Sequence, residues 1–167
     1  MAGNDAHGNF ARFRQVGFPF LKMCEHYWHL FGKWKTGIYL KNNKLSVSNI
    51  LEMMKEGNCF MTNGPALQFR GWVIEKWQPM GGCYKNIKKL KVEALSTPEF
   101  SDINKIIIFS GFFDDHNENI LQEKIFNQST YHVEFDLDVP NQNKKGYFRM
   151  EVETRSGCKA LSNPIWF

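Results

Sequence analysis

Two hydrophobic periods divide the chain. From residue 60 onward the period is two. Tyr131, Val133, Phe135, Leu137 and Val139 alternate with His132, Glu134, Asp136 and Asp138. Phe148, Met150, Val152 and Thr154 alternate with Arg149, Glu151, Glu153 and Arg155. Successive side chains of a strand point to opposite faces, so each run predicts a strand with one buried and one solvated side. Leu67 and Phe69 form a shorter version, as do Leu90, Val92 and Ala94; Ile103 with Ile106 to Phe109 reads as a strand covered on both faces. Turn residues at Gly81-Gly82, Ser110-Gly111, Pro140-Asn141 and Ser156-Gly157 separate the runs. About six to eight short strands in residues 60–167 predict an immunoglobulin-like, two-sheet β-sandwich.

Ahead of it the period changes. Val47, Ile50, Leu51 and Met54 recur at helical spacing after Ser46, a good N-cap, and Gly57 follows Lys55 where a helix should stop. Residues 46–59 therefore predict one short helix and a linker. Residues 1–45 hold no sustained period. Phe10, Phe13, Phe18, Phe20, Tyr27, Trp28, Phe31 and Trp34 are broken by glycines and Pro19. Such an irregular, aromatic-rich segment cannot bury its own rings and must lie against another body. An exposed apolar patch of that kind predicts self-association, most simply a homodimer, with the helix joining the contact. The whole is a mainly β chain.

Composition narrows the classes. With 43% hydrophobic and 23% charged residues the chain folds, and its 15% aromatic content suits a bulky β core. No apolar run approaches the length of a membrane span, and the first residues show no secretory signal. A net charge of +4, scattered along the chain, does not argue for nucleic acid. Cys24, Cys59, Cys83 and Cys158 show no C-x-x-C spacing. Reduced thiols in a cytoplasmic protein are expected.

The densest chemistry is Gly3-Asn4-Asp5-Ala6-His7-Gly8. On an extended chain a carboxylate and an imidazole two apart project to one side and can share a metal centre. This string resembles the last metal-binding motif of the PHP (polymerase and histidinol phosphatase) family of metal-dependent phosphoesterases. Phe31-Gly32-Lys33-Trp34-Lys35-Thr36 resembles the stretch that follows it. Glu56-Gly57-Asn58-Cys59-Phe60-Met61-Thr62-Asn63-Gly64-Pro65 resembles the junction of helix, glycine and T-[DN]-G-P. Ala160-Leu161-Ser162-Asn163-Pro164-Ile165-Trp166 resembles the closing [ST]-N-P-I-[WY] of members with a C-terminal β-sandwich. These stretches span nearly the whole sequence.

The resemblance implies the C-terminal part of such an enzyme, with its accessory β-sandwich. The family folds as a distorted (β/α)7 barrel whose first ligands form an H-x-H pair. No H-x-H occurs here, so only Asp5 and His7 carry over as metal ligands, and no residue carries over as catalytic. A divalent metal (zinc, manganese or iron) is implied for an intact relative and no tight binding for these residues alone. The implied partner is a barrel, as a missing domain or a separate chain. A free-standing β-sandwich that binds or interacts is the competing reading.

Other groups invite weaker readings. Cys24, His26 and His29 match no common structural zinc spacing and read as the polar side of the aromatic segment. Asp114-Asp115-His116-Asn117-Glu118-Asn119 lacks the EF-hand order and reads as a solvated hairpin turn between strands near 109 and 121. Lys85, Lys88, Lys89 and Lys91 read as a charged edge that discourages strand pairing. Trp72, Trp77 and Trp166 suit either a core end or a ligand platform.

Overall fold

The computed structural model describes residues 33–40, 42 and 44–167, together with the backbone of residues 13–14 and 23–24. Asp5, His7, His26, His29 and the aromatic residues 10–31 lie outside the fully described residues. Within that segment β1 (Phe13–Arg14) pairs antiparallel with β2 (Met23–Cys24).

The elements then run β3 (Lys35–Ile38), α1 (Val47–Lys55), β4 (Cys59–Thr62), β5 (Ala66–Val73), β6 (Lys76–Pro79), β7 (Lys89–Leu95), β8 (Ile103–Phe112), β9 (Asn119–Ile125), β10 (His132–Asp138), β11 (Gly146–Thr154), β12 (Lys159–Ser162) and β13 (Ile165–Trp166). One sheet has the order β10-β7-β5-β6 and the other β3-β4-β12-β11-β8-β9, with β13 also on β11. All these strand pairs are antiparallel. The chain crosses between sheets from β4 to β5, from β7 to β8, from β9 to β10 and from β10 to β11. Strands β5, β7 and β10 thus take the A, B and E places of an immunoglobulin-like sandwich, and β8, β11 and β12 take C, F and G. No helix among the described residues is long and apolar enough to cross a membrane.

The core forms where the alternating runs face each other. Leu67, Phe69, Leu90, Val92 and Ala94 from one sheet meet Ile103, Ile106, Ile108, Phe148, Met150 and Val152 from the other, all buried. Val133, Phe135 and Leu137 of β10 close one side. The two longest alternating runs therefore face the core as their period requires.

Four details differ from the sequence pattern. Register slips where Thr154 pairs with Ile103 and Glu153 with Lys105, so Asn104 is an extra residue. This bulge lets Ile103 and Ile106 both point inward although they are three apart. The outer face of β8 is only half covered: Ile107 and Phe109 are intermediate in exposure, and the Arg149 guanidinium lies 4.0 Å from the Phe109 ring centre. Ser110-Gly111 is strand, not turn, because Gly111 lies beneath Tyr147, whose ring would come within 2.5 Å of an added Cβ. Strands β6, β12 and β13 are short pieces that the alternation does not mark.

Helix α1 forms as its pattern predicts. Ser46 is extended and its Oγ accepts a hydrogen bond from the Asn49 amide at 3.3 Å; Lys55 closes the last turn and Gly57 has φ +73°. Its buried side chain is Met53, however, while Val47 and Leu51 are 74% and 52% exposed. The Asn58 side-chain amide explains this orientation. It donates to the Tyr39 carbonyl at 3.0 Å and reaches the Met53 sulfur at 3.7 Å, which holds that side of the helix inward.

Candidate functional site

The described motif stretches meet at one end of the second sheet. Strand β4, from the Glu56–Pro65 stretch, lies between β3, whose first two residues end the Phe31–Thr36 stretch, and β12, from the closing stretch. Asn163 Nδ2 donates to the Gly57 carbonyl at 2.8 Å and to Cys59 Sγ at 3.3 Å. Gly81 supplies the third side: its amide donates to the Pro164 carbonyl at 2.7 Å. It has φ +90°, and an added Cβ would sit 2.4 Å from the Glu56 carbonyl oxygen, so only glycine fits. Thr62 is buried, donates through its hydroxyl to the Pro65 carbonyl, and accepts from the Gly64 amide at 2.9 Å. Where Asn163-Pro164 interrupts the ladder on β11, Ser162 Oγ accepts the Met150 amide at 2.8 Å. The junction fastens helix, edge strand and chain end together. Most of the side-chain hydrogen bonds here go to backbone partners.

At another edge of the sandwich lies a cleft of about 550 Å³. Its aromatic wall is Trp166 with Phe113, whose rings are parallel to within 5° at a centroid distance of 5.7 Å. Tyr147 meets the Trp166 ring edge-on at 5.3 Å. Lys85, Lys144, Lys145 and Gln142 also line the cleft, as does the exposed Cys83. Backbone bonds hold these walls: Trp166 N to the Gly82 carbonyl at 2.9 Å, Tyr84 N to the Trp166 carbonyl at 2.8 Å, and Phe113 N to the Lys145 carbonyl at 3.2 Å. Gln142 Nε2 donates to the Ile87 carbonyl at 3.0 Å, while its Oε1 is buried without a partner. Among the described residues no carboxylate pairs with Lys85, Lys144 or Lys145.

The remaining candidates separate. Asp5 and His7 lie outside the described residues, as do His26, His29 and the Cys24 side chain. Among the described residues no group of three or more His, Cys, Asp or Glu side chains is placed to hold a metal. Cys59, Cys83 and Cys158 are free thiols. The acidic run is the turn between β8 and β9, as its composition predicts. Its Glu118 is held by Arg149, which donates from Nε at 2.6 Å and also from Nη2, and by the Tyr147 hydroxyl at 2.8 Å. The hydrogen bonds from Arg149 hold the Glu118 carboxyl below its usual range.

The lysine run does not form a sheet edge. Strand β7 lies between β10 and β5, and there Lys91 and Lys89 face Glu134 and Asp138 at 2.6 and 3.7 Å. The reason is register: Asp138 stands across from Lys89 and Asp136 from Lys91, which leaves Glu134 diagonal to Lys91. Lys85, ahead of that strand, turns instead to the cleft. The three tryptophans also part. Trp72 and Trp77 pack edge-on at 4.9 Å across β5 and β6, whereas Trp166 belongs to the cleft. Phe113, Gln142, Lys144 and Lys145 carried no distinguishing signal in the sequence, because they sit in polar turns distant from Trp166 along the chain.

Tyr39 joins β3 to the core. Its hydroxyl donates to the Leu67 carbonyl, its ring lies 5.8 Å from that of Phe60, and burial, with the Glu93 charge second, pushes its pKa up to about 12. No family model, curated protein or solved structure matches this chain.

Proposed function

We propose that this chain is the C-terminal accessory region of a PHP-type metal-dependent phosphoesterase, packing against a barrel that carries the chemistry. The observation that supports this reading is the junction. Three separated stretches resembling the family's motifs make one hydrogen-bonded unit, with Asn163 bonded to Gly57 and β4 set between β3 and β12. Residues chosen for a common structural role should meet in this way.

Asp5 and His7 would contribute to the divalent metal site of the assembled enzyme. A hydrolytic centre needs about three or more protein ligands around an open position. These two cannot fix that geometry, so the 167-residue chain is inactive by itself. Val47 and Leu51, one helical turn apart at 74% and 52% exposure, leave an apolar strip on α1 that a barrel would cover.

The test is hydrolysis of 4-nitrophenyl phosphate by the purified chain with manganese or zinc. No turnover above the metal blank is expected, and activity is expected once a barrel carrying the H-x-H ligands is supplied as a fusion or a second chain. Metal-dependent turnover by the chain alone would overturn the proposal, as would a barrel whose activity and association ignore it.

A further inference from the structure

We propose that the cleft between Trp166 and the 140–145 turn binds a planar aromatic monophosphate, its ring on the Phe113–Trp166 stack and its phosphate among Lys85, Lys144 and Lys145. This inference is independent of the phosphoesterase reading, because it concerns binding and no metal.

Three features converge. The parallel rings of Phe113 and Trp166 present a flat apolar face, and Phe113 is 63% exposed. A third ring would continue the stack. Three lysines from two separate turns line the same cleft without a carboxylate partner among the described residues. Three positively charged side chains lining one cleft favour a compact multivalent anion such as phosphate. The cleft, at about 550 Å³, is the size of a small-ligand site. The backbone bonds around Trp166 and Phe113 are already formed, so little ordering opposes binding.

Calorimetric titration of the chain with adenosine 5′-monophosphate, adenosine and inorganic phosphate tests this. The monophosphate is expected to bind saturably, with adenosine and phosphate each about tenfold weaker or more. Lys85→Gln, Lys144→Gln and Lys145→Gln together are expected to lower its affinity to that of adenosine, and Phe113→Ala to lower it about tenfold. All four side chains are exposed, so the variants should keep the parent's melting temperature. A second readout needs no variant. The monophosphate is expected to slow alkylation of Cys83 by iodoacetamide while leaving Cys158 unchanged. Absence of saturable heat, equal affinity for adenosine, lysine variants that bind normally, or an unprotected Cys83 would each overturn the proposal.

Discussion

Ile74 and Glu75 hold the β5–β6 turn with φ +45° and +58°, a region that L residues enter at a cost of about 1–2 kcal/mol each. Asparagine and glycine are the usual occupants of such a two-residue turn. What closes it here is the edge-on Trp72–Trp77 pair across the strands. Replacing Ile74→Asn with Glu75→Gly should therefore stabilise the fold by about 1–2 kcal/mol, read from a urea titration. Charge acts at the same scale. Arg155 donates from Nε to Asp102 Oδ2 at 2.9 Å, and this bond holds the Asp102 carboxyl below its usual range, as Arg149 does for Glu118. As pH falls through the ordinary carboxylate range, about 4, the unfolded chain binds protons that these folded carboxylates still refuse. Their stabilisation is whole above that range and is lost as pH drops through their folded values. The urea midpoint should fall below about pH 4, and Asp102→Asn should make that fall shallower.

Helix α1 shows how far a repeating pattern leads. Its limits were legible from Ser46 and Gly57, because capping is a local matter of backbone groups that lack partners. Which side turns inward was not, because the Asn58 clamp and the path into β4 set it. Met53 is fully buried and Leu51 half exposed. Met53→Ala should cost about 2–5 kcal/mol, while Leu51→Gln should change stability by less than about 0.5 kcal/mol. Thermal melting of the two variants distinguishes these outcomes. Strand β8 offers the matching case among the sheets. Its apolar residues were evident, yet the bulge at Asn104 and the passage of Tyr147 over Gly111 depend on its partner strand β11.

Across the whole molecule, the sheet takes in chain on both sides of the helix. Strand β3 pairs with β4, and Tyr39 reaches the Leu67 carbonyl of the opposite sheet. Deleting residues 1–45 removes both, which should cost about 2–4 kcal/mol and lower the melting temperature by about 6–12 °C while preserving the far-UV β spectrum. Circular dichroism measures both parts of that expectation.

The amino-acid order alone determined the β-rich character, the clearly alternating strands β10 and β11, the helix ends and the acidic hairpin turn. Each follows from periodicity or capping, which act over a few neighbouring residues. Folding decided the rest. It set β7 inside a sheet so that Lys89 and Lys91 met acids, parted Trp166 from Trp72 and Trp77, and carried Lys85 to a cleft shared with Lys144 and Lys145. These placements join residues far apart in the chain. Their cause is burial of two apolar faces against each other, a requirement no local pattern contains.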